Sequence, residues 1–181
     1  MTKVIALSIA HNPTAAGADY HGFNEHNESV VWTWLVKSHL EELGYSVVIA
    51  PVGGLKQKVA YINKMVACVA IEIHFNGSSN PRVNGCETLY CPGSTNGKRF
   101  ADTVQTAYAI FMGNKNRGIK EGWYKMEVGG VADYFLRKTK CPALILEPEF
   151  ISQIHNITSK RFIASNKIAD GIAEYVEELY G

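Results

Sequence analysis

Short apolar runs rich in β-branched residues alternate along this chain with stretches in which apolar side chains recur at helical spacing, and that alternation limits the fold to the α/β class. The expected architecture is one domain, residues 1–181, with a mostly parallel twisted sheet and helices on both faces. Strands fall at Val4–Ile9, Ser46–Ala50, Cys68–Ile73, Cys86–Cys91 and Ala143–Leu146. The first helix runs from about Glu25 to Leu43, with Val31, Trp34, Leu35 and Leu43 near one face and Gly44 as its stop. Gly53-Gly54 opens a second over about Leu55–Met65, and a third covers about Gly97–Met112. A last helix, about Ser159–Leu179, carries Ile168, Ile172, Val176 and Leu179 on one side. Trp32 and Trp34, two apart on the first helix, cannot both face the core.

The 46% apolar residues supply one packed core, while 18 basic against 17 acidic residues leave a formal charge of only +1. So small a charge creates no field that gathers a polyanion, which argues against nucleic acid as a partner. No apolar run approaches the roughly 18 residues of a membrane span, so no membrane partner is expected. Met1-Thr2-Lys3 leads straight into a strand rather than a signal peptide, so the expectation is synthesis in the cytoplasm. The four cysteines form no Cys-x-x-Cys pair. Cys86 and Cys91, an odd number apart in one strand, should point to opposite faces and share neither a metal nor a disulfide.

His11, His74 and Glu147 each stand at or just past the carboxyl end of an apolar strand, the edge at which open α/β sheets build ligand sites. Glu25 begins the first long helix directly after the loop from Asn12 to Asn24, and so can project over the same edge. Two imidazoles and a carboxylate can thus converge there. Two His and one Glu make a recognised catalytic zinc set with a fourth position open for water; the ion lowers the pKa of that water to about 7 and polarises a carbonyl. Glu147 would then be the unbound carboxylate that accepts the water proton and passes it to the leaving amine. Taken singly, His11 also reads as a loop residue at a strand end, and His74 as a core histidine bonded to a backbone carbonyl.

The wording around these residues resembles the zinc-dependent N-acetylmuramoyl-L-alanine amidases of the amidase-3 type, particularly phage endolysin catalytic domains. The matching stretches are Leu7-Ser8-Ile9-Ala10-His11, Phe23-Asn24-Glu25-His26, Ile71-Glu72-Ile73-His74-Phe75-Asn76 and Pro142-Ala143-Leu144-Ile145-Leu146-Glu147. Gly85-Cys86-Glu87 and Arg117-Gly118-Ile119-Lys120 are lesser echoes, and the order is kept from end to end. The resemblance implies one zinc ion per chain held by His11, Glu25 and His74, with Glu147 as the catalytic glutamate. It implies peptidoglycan as substrate, cut between N-acetylmuramic acid and the L-alanine of the stem peptide. With no export signal in view, it also implies a phage endolysin that acts on the bacterial cell wall after release. A zinc peptidase or carboxypeptidase acting on stem peptides, and a wall-binding module without turnover, are the competing readings.

Glu28 lies one helical turn after Glu25 and competes with it as a ligand; Glu25 is favoured because in the family the ligand opens the helix that a glycine, here Gly44, closes. Two positions depart from the family pattern, Ala10 before the first His and Glu149 beyond the catalytic Glu. Glu149 either raises the pKa of Glu147 or points away into solvent. His26 points about 100° away from Glu25 around the helix. His21 sits in an unconstrained loop, His39 reads as structural, and His155 as solvated. Tyr20, Phe75, Trp123 and Tyr124 are available to line a groove, although the core is the commoner place for such residues. The glycine-rich stretch Gly113–Val131 is the least regular and a candidate rim for that groove.

Overall fold

A computed structural model describes residues 3–122 and 133–180. In chain order the strands are β1 (Val4–Ile9), β2 (Asp19–Tyr20), β3 (Phe23–Asn24), β4 (Ser46–Ile49), β5 (Val69–Ile73), β6 (Cys86–Tyr90), β7 (Asn116–Glu121) and β8 (Ala143–Glu147). The helices are α1 (Glu25–Glu42), α2 (Leu55–Lys64), α3 (Thr95–Met112), α4 (Asp133–Lys138), the single turn α5 (Ile154–Ile157) and α6 (Arg161–Tyr180). Six strands form one sheet in the order β4-β1-β5-β8-β6-β7, while β2 and β3 make a separate hairpin. Strands β4, β1, β5 and β8 run parallel; β6 pairs antiparallel with β8 and carries β7 parallel to itself. The carboxyl edge of β1, β5 and β8 is therefore the amino edge of β6 and β7, so all five strands deliver residues to it.

Alternation along each strand divides the core in two. Ile5, Leu7, Val69, Ile71, Ile73, Leu144 and Leu146 pack beneath α1, α3 and α6. Ala6, Ala70, Leu89, Ala143 and Ile145 meet α2 and α4 on the other face. Helices on both faces leave no solvated side, which is why the strands read as near-continuous apolar runs. On the α2/α4 face the rows turn polar as they reach the shared edge: Ser8 follows Ala6, Glu72 follows Ala70, Glu147 follows Ile145, and Glu87 lies two before Leu89, all of them buried. Cys86 belongs to the first core and Cys91 packs against the second, on opposite faces of the sheet.

The first helix turns a different face inward from the one its apolar residues mark. Trp32, Val36 and Leu40 are fully buried, whereas Trp34 and Leu43 are exposed and Val31 and Leu35 half-buried. The inward stripe also holds Glu25, Ser29 and Thr33, so its polar members dilute the hydrophobic pattern and shift it to the wrong side. Asn24 caps α1 by accepting a hydrogen bond from Asn27 N at 2.9 Å. The expected short segment Arg117–Lys120 lies within a strand, β7, whose pairing with β6 shifts register between Cys86 and Thr88. The hairpin, α4 and the turns over 151–160 lack periodicity long enough to be read from sequence. Trp123, Tyr124 and the end of the proposed rim lie outside the described residues, and Phe75 is buried in the core at 5.6 Å from Trp32, ring centre to ring centre.

Trp32→Ala should cost roughly 3–5 kcal/mol of unfolding free energy, against less than about 0.5 kcal/mol for Trp34→Ala. Urea titration of the two variants checks the helix orientation, and the reverse order would contradict it.

Candidate metal centre and active site

The chain leaves β1 through His11, whose φ of 58° lies in the left-handed region. That conformation is costly for a side-chain-bearing residue and is commonest at functional sites. It turns the imidazole back towards the start of α1. Asn12 steadies the loop beyond, its Oδ1 accepting from the backbone N–H of Thr14 and of Ala15 at 3.0 Å each. The β2–β3 hairpin then returns the chain so that Glu25 opens α1 beneath His11.

Glu25 is the hub. One carboxylate oxygen lies 2.9 Å from His11 Nε2 and the other 2.8 Å from His74 Nδ1. The same carboxylate accepts the backbone N–H of Ala18 at 3.0 Å and of Phe75 at 3.2 Å. The two imidazole centres are 5.2 Å apart. One donor atom from each of His11, Glu25 and His74 falls within 4.8 Å of the others, the one such group of His, Cys, Asp or Glu among the described residues. Burial pushes the Glu25 carboxyl up, but the two imidazoles outweigh it and hold it well below the carboxylate range. For His74 burial works downward, and the carboxylates of Glu25 and Glu72 reverse it, raising the ring to about 10.

Room for an ion is kept by Gly17. A Cβ at this position would lie 2.4 Å from Glu25 Oε2 and 2.6 Å from His11 Nε2, and its φ of +79° disfavours any side chain. The hollow, the two-imidazole and one-carboxylate donor set and the mutual distances fit a small divalent cation.

Glu147 ends β8 beside His74: Ile73 and Leu146 are in register, and His74 N donates to Leu146 O at 2.8 Å. The residue is 1% exposed, and Oε2 has no hydrogen-bond partner among the described residues. Burial raises its pKa well above the normal value, His74 opposes this, and the charges of Glu25, Glu87 and Glu72 reinforce it. Glu87, in register with Glu147 across β6–β8, behaves oppositely. Burial again pushes upward, but Lys120, Arg117 and Asn76 bind it and lower its pKa.

Comparison with known proteins follows the same lines. The family model Amidase_3, N-acetylmuramoyl-L-alanine amidase, matches residues 5–178. The chain belongs to that family. Over 98% of its length it is 23% identical to the N-acetylmuramoyl-L-alanine amidase LytC of Bacillus subtilis (strain 168), of which it spans 36%. The catalytic domain of the amidase CwlV from Bacillus (Paenibacillus) polymyxa var. colistinus superposes with a TM-score of 0.80 at 26% identity, over 98% of each chain. The amidase AmiC2 of Nostoc punctiforme shares the fold with a TM-score of 0.84 at 22% identity, over 97% of each chain.

Of the residues singled out from sequence, His11, Glu25 and His74 converge and Glu147 adjoins them. Glu28 lies outside the group, in the field of Arg161. Glu149 takes neither course open to it: it is buried, and its oxygens accept from Gly85 N and Phe150 N at 2.8 Å and from Asn114 Nδ2 at 2.7 Å. His26 is a buried loop tie through Nδ1 to Ala10 O at 2.9 Å, and His39 joins α1 to α6 through Asp170. His21 is exposed with its ring against Tyr20, and His155 is exposed on α5. Gly17, Lys58 and Glu72 were not anticipated. A charged residue inside an otherwise apolar strand was the available signal for Glu72, whereas a lysine on an amphipathic helix gives none.

Gly17→Ala and Gly22→Ala separate backbone strain from site collision, since Gly22 has φ +88° with nothing among the described residues within 4 Å of its would-be Cβ. Each should lose on the order of 1–3 kcal/mol, but only Gly17→Ala should displace the His11 and His74 imidazole resonances; equal spectra would contradict the hollow. A second outcome concerns Glu87, whose lowered pKa makes its contribution present above the unfolded value of 4.5 and lost as pH falls through the folded one. Glu87→Gln should therefore melt about 2–4 °C lower than the parent at pH 7, with the gap closing towards acid pH.

Proposed function

We propose that the chain cleaves the amide between the lactyl group of N-acetylmuramic acid and the L-alanine of the peptidoglycan stem peptide, using one zinc ion. The observation that carries the reading is the convergence of His11, Glu25 and His74 round the hollow at Gly17, beside a Glu147 carboxyl oxygen without a hydrogen-bond partner among the described residues. His11 Nε2, His74 Nδ1 and the Glu25 carboxylate are the atoms that would hold the ion, and none of them is a soft thiolate. Zinc held by such a set polarises the scissile carbonyl and activates a water near neutral pH.

The chain's own residues account for the proton. Glu147 Oε2 takes a proton from the attacking water and returns it to the departing nitrogen of L-alanine, which leaves as a neutral amine. Its burial and the negative neighbours Glu25, Glu87 and Glu72 favour the protonated form needed for the second half of that cycle. Glu87 stays ionised between Arg117 and Lys120 and so keeps the two carboxyls in different states. The His11 side chain is the most open of the three ligands, 32% exposed against 16% for His74 and 7% for Glu25, so substrate reaches the site from its side.

Likeness in wording to phage endolysin catalytic domains extends the proposal to a lysin that acts on the wall after release. Clearing of outer-membrane-permeabilised Gram-negative cells by added protein is the expected result, and failure to clear any cell wall would reject that role. No helix among the described residues is long and apolar enough to cross a membrane.

Digestion of purified peptidoglycan should release intact stem peptides with a free L-alanine amino terminus; shortened stems would indicate a peptidase, and wall binding without hydrolysis a binding module. Glu147→Gln should keep about one zinc per chain and lose roughly a hundredfold or more in rate, whereas His74→Ala should lose the metal too. A fully active Glu147→Gln variant would reject the assignment, as would activity that survives exhaustive chelation.

A further inference from the structure

Beneath the metal site lies a second layer of charge. Glu72 is a carboxylate within an apolar strand, 3% exposed, and each of its oxygens is engaged. Oε2 is 3.0 Å from His74 Nε2, while Oε1 accepts from Ser8 Oγ at 2.8 Å and from Lys58 Nζ at 3.1 Å. Lys58, also 3% exposed, reaches across from α2. Its ammonium donates as well to the backbone carbonyls of Ile9 and, at 3.3 Å, of His11. One cation therefore touches both the strand end that presents His11 and the carboxylate that faces His74. From the opposite side Ser29 Oγ joins the same two strand ends, donating to Ile73 O at 2.6 Å and accepting from Ala10 N at 2.8 Å.

A buried ion pair gives little or no stability over apolar side chains of similar volume, so its place under the site points to another role. A neutral imidazole carries one N–H and one lone pair, and an ionised carboxylate can only accept. Carboxylates face both ring nitrogens, Glu25 at Nδ1 and Glu72 at Nε2; once an ion on the Glu25 side takes the Nδ1 lone pair, the one N–H of a neutral His74 would lie on Nε2 and donate to Glu72. Without that partner no acceptor holds the proton at Nε2, and the ring can carry it on Nδ1, where it would block the lone pair needed for the ion.

We propose that Lys58 and Glu72 are a positioning pair for the metal-binding imidazoles: Glu72 sets which nitrogen His74 presents, and Lys58 holds Glu72 and the backbone of His11 in common alignment. The inference rests on the zinc reading above. Carboxylate partners of this kind raise metal affinity by roughly 10–100-fold in other histidine sites.

The metal-free protein, titrated with zinc against a chromophoric chelator, gives the decisive affinity. Glu72→Gln leaves Lys58 buried without a counter-charge, so the main variant is the neutral double replacement Lys58→Met/Glu72→Leu, which is expected to retain the parent circular dichroism. Its zinc affinity should fall about 10–100-fold, with a changed visible spectrum after cobalt(II) substitution. Affinity within twofold of the parent, or a lower melting temperature with unaltered affinity and spectrum, would make the pair merely structural and overturn the proposal. Nitrogen-15 NMR of the zinc-loaded parent decides independently of whether the variant folds: Nε2 of His74 should carry the proton and Nδ1 the metal shift, and the reverse assignment overturns it. Failure of the parent to bind zinc would remove both readings, whereas stoichiometric zinc with unchanged variant affinity would remove this one alone.

Discussion

A buried carboxylate shared by two imidazoles and two backbone amides is the contact on which this molecule's site depends. Glu25 draws its partners from the end of β1, the end of β5 and the loop before α1. An ionised group so enclosed is costly unless each oxygen is answered, so the requirement acts on all three segments together. The loop complies through backbone bonds from Glu25 N to Ala18 O at 2.9 Å and from His26 N to Ala16 O at 3.0 Å, which tie it to the first turn of the helix. The start of α1 and the path of the loop are thus one structural decision. Gly17 is the residue that lets the loop pass close enough without filling the space between the donors.

Besides Glu72, three further carboxyls, Glu87, Glu147 and Glu149, stand at this end of the sheet, and their surroundings put them in different states. Glu87 is surrounded by cationic partners and remains charged. Glu147 is buried, and burial with the negative charges of Glu25, Glu87 and Glu72 outweighs the opposing His74, so its proton is held more tightly. Glu149 spends its lone pairs on loop amides and is removed from the chemistry. The reversal of strand direction between β8 and β6 makes this possible, because it sets Glu87 directly across from Glu147 at the edge where His11, Glu25 and His74 gather.

Much of this was legible in the chain. Strand ends marked by His11, His74 and Glu147, and the helix opened by Glu25, are positions where apolar runs break at a polar residue, and such breaks survive translation into structure. The final helix kept its Ile168, Ile172 and Val176 row inside because nothing polar interrupts it. Legibility failed where one stripe serves both core and site: on α1 the buried row mixes Trp32, Val36 and Leu40 with Glu25, Ser29 and Thr33, and hydrophobicity alone selected Trp34 instead. The support residues were hidden for a related reason. Lys58 and Gly17 acquire meaning only from what lies across space, and no local pattern encodes that.

The polar ends of the strands also explain why register matters more here than in an ordinary parallel sheet. Ser8, Glu72, Glu147 and Glu87 occupy the same alternate rows that deeper in the sheet hold Ala6, Ala70, Ile145 and Leu89. A slip of one residue would turn Glu72 and Glu147 into the core beneath α1, α3 and α6, and would turn His74 away from Glu25. Apolar packing on the two faces resists such a slip only weakly, since both faces of each strand are hydrophobic and would tolerate exchange. The charged edge resists it strongly, because every misplaced carboxylate would be buried without a partner. The pairing of Ser8 with Glu72, which are in register on β1 and β5 and joined at 2.8 Å, is one such lock, and the crossing of Lys58 to the Ile9 carbonyl is another. On this argument the residues that build the site also select the sheet alignment that brings them together.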